Sequence, residues 1–302
     1  MTIPLVLDCD PGHDDAIALL LALASPEIDL LGVTTTHGNQ TVEKTTDNAL
    51  RVLALAGRAD VPLAMGADRP LVRELEVAAH VHGESGLDGP VLPERASDPV
   101  EQDAVEFLVE RVTPETVVVA VGPLTNVARA LEAGMRPARI VLMGGAIAEG
   151  NMTPAAEFNI WADPEAAQEV FHCGLDVTMI GLDVTHGALL TPAWADRFRT
   201  AGRVGTFVAE LVDFFKRYHA DTYGWDGAPI HDAVALAHAF RPGVVATERM
   251  NVEVELESEL TRGRTVADRW HRTERPPNAD VGVSVDADAF FELLLERIAT
   301  LG

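Results

Sequence analysis

The chain has 302 residues, of which 23 are Lys or Arg and 47 are Asp or Glu, so its formal net charge is −24. This acidity excludes a protein that binds nucleic acid by neutralising phosphates, because such binding needs basic surface. No basic segment precedes the first apolar run, and no run approaches the ~18 apolar residues of a membrane span. We expect a globular, cytoplasmic protein. Its two cysteines, Cys9 and Cys173, are too few for a disulfide framework and are interpreted as buried thiols.

Short runs rich in Val, Ile and Leu alternate with longer segments of helical period up to about residue 190. The runs predicted as strands are 3–9, 29–35, 116–121, 139–143 and 177–182. The segments predicted as helices are 14–24, 41–55, 100–112, 124–133 and 164–171. This alternation is typical of a mostly parallel sheet with helices on both faces, whose strands are apolar throughout because both faces are buried.

The last third of the chain has a different pattern. The segments predicted as helices here are 193–218, 230–240 and 290–300, and those that alternate like strands are 252–256 and 281–285. No low-complexity linker separates this part from the rest. The predicted fold is therefore α/β, a single open-sheet domain over residues 1–302.

Four aspartates, Asp8, Asp10, Asp14 and Asp15, fall within eight residues at the end of the first predicted strand, around a Pro-Gly turn. Ligands of open α/β sheets gather at these carboxyl ends of strands. Clustered carboxylates repel one another, so this proximity costs free energy unless cations or hydrogen-bond donors compensate for it. Oxygen ligands without Cys or paired His favour Ca²⁺ or Mg²⁺ over Zn²⁺. The alternative is a solvated acidic loop whose aspartates cap the following helix.

A strand followed by Asp-x-Asp also begins the haloacid-dehalogenase-like phosphatases. In that family the first Asp is the nucleophile and the second the acid/base, which would be Asp8 and Asp10 here. Such an enzyme has a lysine at the phosphate, and the only lysines of this chain are Lys44 and Lys216. The continuation Pro-Gly-His-Asp-Asp is not required by that family, so we rank this interpretation second.

Residues 8–16, Asp-Cys-Asp-Pro-Gly-His-Asp-Asp-Ala, resemble the signature of the inosine-uridine preferring nucleoside hydrolases, which cleave the N-glycosidic bond of ribonucleosides. Further segments resemble that family in the same order along the chain, namely 36–41, 82–90, 121–126, 142–145, 156–160, 162–167, 181–185 and 231–233. The resemblance covers nearly the whole chain and is weakest over 91–116 and 257–278. The family fold is one open α/β domain, in agreement with the strand pattern.

The resemblance implies a Ca²⁺ held by Asp10, Asp15, Asp232 and the backbone carbonyl of Val121. Ribose hydroxyls and a water would complete the shell. The set suits the ion, which takes six to eight oxygens from carboxylates and carbonyls alike. Asp8 is expected to fix the loop and not to bind the ion.

The resemblance also implies a mechanism. Cleavage of the C1′–N bond passes through an oxocarbenium-like state, so water must reach one face and the departing base must be protonated or stabilised. We expect Asp10 to act as general base on that water. We expect His231, next to Asp232, to act as general acid, because an unshifted histidine pKa near ~6.5 suits proton donation.

Contacts to the ribose follow from the same resemblance. The side chains expected to bind its hydroxyls are Asp14, Asn39, Asn151, Glu157, Asn159 and Asp232. Glu157 and Asn159 are two apart in a segment expected to be extended, so both should point the same way. Met143 is expected under the ribose, with ordinary core packing as the alternative.

Contacts to the base are expected from His82, His231 and Tyr223, the last beside Trp225 on a mobile lid. Family members that prefer pyrimidines carry such a Tyr with a Gln four residues earlier, where this chain has His219. The expected substrates are uridine and inosine. His13, His37 and His80 are interpreted as structural.

A third interpretation is a non-catalytic nucleoside-binding protein on the same fold. Binding alone would not need a water activator and an acid together, so the intact set of Asp10, Asp15, Asn159, His231 and Asp232 argues against it. The resemblance further implies a homodimer or homotetramer and a role in nucleoside salvage.

Overall fold

The computed structural model describes residues 2–302. Its strands, numbered in chain order, are β1 (Ile3–Cys9), β2 (Ile28–Thr35), β3 (Leu63–Met65), β4 (Val117–Ala120), β5 (Arg139–Met143), β6 (Val177–Ile180), β7 (Leu189–Leu190), β8 (Ala228–Pro229), β9 (Val245–Met250), β10 (Val252–Val254), β11 (Thr265–Ala267) and β12 (Ala279–Val285).

The helices are numbered in the same way. They are α1 (His13–Ala24), α2 (Val42–Leu55), α3 (Ala79–His82), α4 (Ala104–Arg111), α5 (Thr125–Glu132), α6 (Phe158–Ala162), α7 (Pro164–Phe171), α8 (Leu182–Thr185), α9 (Pro192–Arg199), α10 (Gly202–Tyr223), α11 (His231–Phe240) and α12 (Ala287–Ile298). Single 3₁₀ turns follow α11 at Pro242–Val244 and α12 at Ala299–Leu301.

Eight of the strands form one sheet in the order β3-β2-β1-β4-β5-β6-β12-β9. Six of its seven pairings are parallel, and only β9 runs antiparallel, beside β12. The remaining strands form two-stranded ribbons, β7 with β8 and β10 with β11. The predicted α/β class with a mostly parallel sheet is therefore confirmed.

The side chains of β1 alternate between two apolar cores, one on each face of the sheet. Leu5 and Leu7 pack into the core formed with α1, α2, α10, α11 and α12. Val6 packs into the other, formed with α4, α5 and α7. Since every second residue of a strand points to the same face, a strand buried on both faces has to be apolar throughout.

The structure differs from the predicted elements where a local signal overrides the apolar pattern. The helix predicted over 193–218 is two helices, α9 and α10, because the chain turns at Gly202, whose φ of +84° favours glycine. The strand predicted over 252–256 is β10, which pairs with β11 outside the main sheet. The antiparallel edge strand β9 is not predicted from the sequence, because its four central residues are exposed and do not alternate between apolar and polar.

The two cysteines differ in exposure. Cys9 is fully buried, as predicted, whereas Cys173 is only half-buried because it follows the end of α7. None of the helices within residues 2–302 is both long and apolar enough to cross a membrane.

The packing of α4 on β2 predicts a large stability effect. Phe107 is fully buried, and a Cβ at Gly32 would lie 2.3 Å from its ring, so the ring fills the space above this glycine. Phe107→Ala should lower the free energy of unfolding by about 3–5 kcal/mol in urea titrations, and the control Phe107→Leu should lower it less. Equal stabilities of Phe107→Ala and the unsubstituted protein would contradict this packing.

We also propose that residues 1–302 are one domain. Fluorescence and circular dichroism should then report the same single unfolding transition in urea.

Candidate active site

Polar residues that follow the parallel strands line one cavity at the carboxyl edge of the sheet. Eleven of the thirteen predicted site residues line it, namely Asp14, Asn39, His82, Val121, Met143, Asn151, Glu157, Asn159, Tyr223, His231 and Asp232. The other two, Asp10 and Asp15, are fully buried and do not line it.

Four carboxylates, those of Asp10, Asp14, Asp15 and Asp232, form a buried cluster beside the cavity. Oxygens of Asp14, Asp15 and Asp232 lie within 4.8 Å of one another, and the backbone N–H of Asp10 donates to the Asp15 carboxylate. Burial raises the pKa of all four carboxyl groups, to about 8 for Asp14. Repulsion from neighbouring carboxylates adds to the increase in the pKa of Asp10, Asp14 and Asp232.

The turn between β1 and α1 holds this cluster together through backbone donors. Asp15 accepts the N–H groups of Asp10 and Gly12, each at 3.0 Å. Asn39 donates its backbone N–H to Asp10 at 2.7 Å and its side-chain amide to Asp15 at 2.9 Å. Gly38 allows this approach, because its φ is +150° and a Cβ there would lie 2.1 Å from an Asp10 carboxylate oxygen.

The residues of the cluster fit a hard divalent cation. Oδ1 of Asp10 is buried and has no hydrogen-bond partner among residues 2–302. All the donors are oxygens, as Ca²⁺ and Mg²⁺ require. The Val121 carbonyl accepts the Asn159 amide at 2.8 Å and keeps one lone pair for a further partner. The three carboxylates whose oxygens lie within 4.8 Å of one another are those of Asp14, Asp15 and Asp232, whereas the sequence predicts Asp10 as an ion ligand and Asp14 as a contact to the sugar.

Glu157 and Asn159 lie at the start of α6, so the prediction of an extended segment is wrong. The physical reason is that Glu157 caps this helix. Its carboxylate accepts the N–H groups of Asn159 at 2.9 Å and Ile160 at 3.1 Å, and also that of Gly145 at 2.9 Å. Burial raises the pKa of Glu157 to about 7, although these donors oppose the increase.

Three asparagine side chains of the cavity wall form hydrogen bonds within the protein through only one end of the amide, the NH₂ group or the oxygen. Asn159 donates to the carbonyls of Val121 and Met143, at 2.8 and 3.1 Å, and Asn39 donates to Asp15. Asn151 accepts a backbone N–H at 2.9 Å. The opposite end of each amide has no partner among residues 2–302, which leaves two acceptors and one donor available to a polyhydroxylated ligand.

His231 is the first residue of α11, and its Nδ1 lies 2.7 Å from the Thr185 hydroxyl. Burial, with smaller contributions from His186 and His219, lowers the pKa of His231 well below its ordinary value. The prediction of an unshifted pKa is therefore wrong, because a ring this buried disfavours the imidazolium form. Near neutral pH this side chain is a hydrogen-bonding group without a charge.

His82 is held by His13, which the sequence interpretation treats as structural. The two Nδ1 atoms are 3.1 Å apart, and Nε2 of His13 donates to the Asp88 carbonyl at 2.9 Å. Burial lowers the pKa of both rings, that of His13 to about 4. Of the other histidines interpreted as structural, His80 lines the cavity and His37 does not.

Aromatic side chains of α10 and the residues after it form one wall of the cavity. Tyr223 is the last residue of this helix and stacks on Trp225 with ring centroids 4.5 Å apart, so it does not lie on a separate loop. Nδ1 of His219 donates to the Phe215 carbonyl at 3.0 Å, which leaves a lone pair on Nε2. The sequence interpretation misses Phe215 and Tyr218, although their helical spacing with His219 places all three on one face. It also misses His186, which no spacing rule connects to them.

Residues 5–292 match the sequence model of the family described as inosine-uridine preferring nucleoside hydrolase. This chain belongs to that family. The match includes all thirteen predicted site residues and all of the sheet except the first two residues of β1. The predicted family membership is thereby confirmed.

Similar proteins agree with this assignment. The pyrimidine-specific ribonucleoside hydrolase RihA of Klebsiella pneumoniae is 52% identical over 99% of both chains, and that of Salmonella typhimurium is 51% identical with the same coverage. The solved structure of a purine-preferring ribonucleoside hydrolase from Gardnerella vaginalis is similar with a TM-score of 0.92 and 36% identity, covering 99% of this chain and 98% of that one. This nucleoside hydrolase is an enzyme, as predicted, and its reaction is the hydrolysis of ribonucleosides.

The phosphatase interpretation is overturned by the family and by the positions of the lysines, neither of which lines the cavity. The Asp8 side chain is buried, where it accepts the Thr34 hydroxyl at 2.5 Å and the Asn126 amide at 2.8 Å and so fixes the end of β1. Neither lysine lies at the site, since Lys44 binds Gln40 and Glu84 and Lys216 binds Asp213.

Removal of divalent cations should destabilise the nucleoside hydrolase increasingly as the pH rises. The pKa of these carboxyl groups is higher in the folded protein than in the unfolded chain, where it is about 4. Without a cation, their protonation therefore stabilises the folded protein fully below about pH 4. This stabilisation is lost as the pH rises through the pKa in the folded protein, which is about 8 for Asp14. The melting temperature in EDTA should fall by about 3 °C or more between pH 5 and pH 8, and Ca²⁺ should restore more of it at pH 8.

Differential scanning fluorimetry checks this prediction, with Asp98→Asn as the control. Asp98 is an exposed carboxylate in a surface ion pair, so Asp98→Asn should have the melting temperatures of the unsubstituted protein, both in EDTA and in Ca²⁺. Asp15→Asn should raise the melting temperature in EDTA at pH 8 and weaken the effect of Ca²⁺. A calcium effect of equal size at both pH values would contradict the coupling of the cluster to protons.

Proposed function

We propose that this nucleoside hydrolase hydrolyses pyrimidine ribonucleosides to ribose and the free base with Ca²⁺ as its metal. The observation that carries the proposal is the buried cluster of Asp10, Asp14, Asp15 and Asp232 beside a cavity lined by amides and neutral histidines. Such a cluster is costly without a cation, and a cavity of this lining suits an uncharged polyhydroxylated ligand.

In this proposal Asp10, Asp15, Asp232 and the Val121 carbonyl hold the ion. When bound, Ca²⁺ would neutralise the carboxylates, take ribose hydroxyls as ligands and lower the pKa of a water. Asp10 is the general base that accepts the proton of the attacking water. Two features support this role: its carboxyl pKa is raised, and one of its oxygens has no partner among residues 2–302.

The ribose is bound by side chains that still have free hydrogen-bonding groups. Asn39 and Asn159 accept hydroxyl protons through their Oδ1 atoms, and Asn151 donates through its Nδ2. Asp14, Asp232 and Glu157 are the carboxylates of this contact, with Met143 beneath the ring. A deoxyribose would leave buried acceptors unpaired, so discrimination against it should be strong.

The base occupies the part of the cavity formed by His82, His219, Tyr223 and His231. The Nε2 lone pair of His219 accepts an N–H of the base edge, which uracil and cytosine both offer. The preference for pyrimidines is supported by the relatives at 51–52% identity, which are named pyrimidine-specific ribonucleoside hydrolases. Of the two substrates expected from the sequence, this preference favours uridine over inosine.

Three further expectations stay predictions. The role is nucleoside salvage, the location is the cytoplasm, and the assembly is a homodimer or homotetramer. Sedimentation velocity of the purified protein tests the assembly directly, and a single species at the 32.4 kDa of the chain would contradict it.

Ribose release from uridine, cytidine, inosine and their 2′-deoxy forms tests the proposed activity in calcium buffer. Uridine and cytidine should be cleaved fastest, deoxy forms more than about a hundredfold more slowly, and Asp10→Asn should lose about 10²–10⁴-fold in kcat. Asp98→Asn is the surface control and should match the unsubstituted protein. Absence of ribose from every nucleoside at high enzyme concentration would overturn the proposal, and faster cleavage of inosine than of uridine would overturn the base preference.

Substitutions at His219 test the proposed contact with the base. His219→Phe keeps an aromatic ring but removes the acceptor, so kcat/KM for uridine should fall about tenfold, the value of one hydrogen bond. His219→Gln restores an acceptor and should recover most of the loss. An equal loss in the two variants would contradict the contact.

A further inference from the structure

His231 and Thr185 meet at the back of the cavity. Thr185 is the last residue of α8 and His231 the first of α11, and the hydroxyl oxygen lies 2.7 Å from Nδ1 of the ring. Thr185 is fully buried. Among residues 2–302 this ring nitrogen is the only hydrogen-bond partner of its hydroxyl.

The surroundings of the hydroxyl determine which group donates. If the ring donated from a protonated Nδ1, the hydroxyl hydrogen of Thr185 would be buried without an acceptor. If the hydroxyl donates, its hydrogen and the Nδ1 lone pair are both used. Buried donors in native proteins are almost always paired, so the hydroxyl donates. A His231 ring that accepts at Nδ1 must then carry its proton on Nε2, because an imidazole ring keeps at least one N–H group.

The protonated edge of the ring is the one that a ligand meets. The Nδ1 edge faces buried Thr185, whereas His231 lines the cavity and its Nε2 has no partner among residues 2–302. The ring is therefore held at its Nδ1 edge by the hydroxyl and presents its Nε2 edge to the cavity.

We propose that Thr185 is a positioning residue that holds His231 in its Nε2–H form, so that His231 donates a hydrogen bond to the departing base. This inference rests on the proposed function. When the C1′–N bond breaks, its electron pair leaves with the base, and the Nε2–H group stabilises the charge that develops there. The opposite tautomer would turn a lone pair toward the same charge and repel it.

The test uses three forms of the calcium-loaded enzyme and two leaving groups. Thr185→Val has nearly the same shape without the hydroxyl, and Thr185→Ser keeps the hydroxyl. Uridine needs stabilisation of its departing base, whereas 4-nitrophenyl β-D-riboside releases a phenolate that is stable without it. Both substrates share the ribose and differ in the group that His231 faces.

We expect kcat for uridine to fall about 10- to 100-fold in Thr185→Val, with KM changed less than about threefold. Thr185→Ser should lose less than about threefold. The 4-nitrophenyl substrate should lose less than about threefold in both variants. Equal losses of kcat on both substrates in Thr185→Val would overturn the proposal, because they would indicate a general structural defect.

Nitrogen-15 NMR of the histidine rings gives a second readout that does not depend on turnover. The His231 signals are identified by their absence in His231→Gln. In the unsubstituted protein Nε2 should carry the proton, and the Nδ1 shift should move in Thr185→Val as its hydrogen bond is lost. A protonated Nδ1 would overturn the proposal even if Thr185→Val did not fold. If the unsubstituted enzyme cleaved neither substrate, the proposed function would fail while this spectrum still decided the tautomer.

Discussion

The mutual repulsion of four buried carboxylates is the constraint around which this protein is organised. Asp10, Asp14, Asp15 and Asp232 come from two distant parts of the chain and share one buried region. Bringing them together costs free energy, which backbone N–H donors and the Asn39 amide offset only in part, since burial still raises the carboxyl pKa values. A fold that keeps this arrangement must supply it with a rigid support, and the parallel sheet does so.

The support consists of strand ends that meet at one edge. β1, β4 and β5 lie side by side, and the residues just beyond them supply Asp10, the Val121 carbonyl and the Gly145 N–H that binds Glu157. These groups are backbone atoms or short side chains, so few rotatable bonds separate them from the sheet. Rigidity of this kind keeps reacting groups in place without further entropy cost at each turnover.

How much of this the sequence predicts depends on where each residue's neighbours come from. The Asp-x-Asp-Pro-Gly-His-Asp-Asp segment identifies the acidic site because several of its partners lie within the segment or, like Asn39 and Val121, follow the strands adjacent to β1. The lowered pKa of His231 cannot be predicted in this way, because burial arises from elements remote in sequence, such as α8 and α10. For the same reason the pairing of His13 with His82, 69 residues away, has no local signal. The prediction of an extended segment at Glu157 is wrong for a local reason, because Glu157 caps a helix that begins at the next residue.

One consequence concerns how base preference can change during evolution. Helix α10 has two faces: Phe207, Val208 and Leu211 pack in the core, and His219 and Tyr223 face the cavity. His219 is almost fully buried and tied to Phe215, so its replacement disturbs the packing of the same helix. Tyr223 is half-exposed at the helix end and has no such tie. Descendants of this enzyme should therefore acquire new specificities first at the end of α10 and only later, with compensating changes, in its middle.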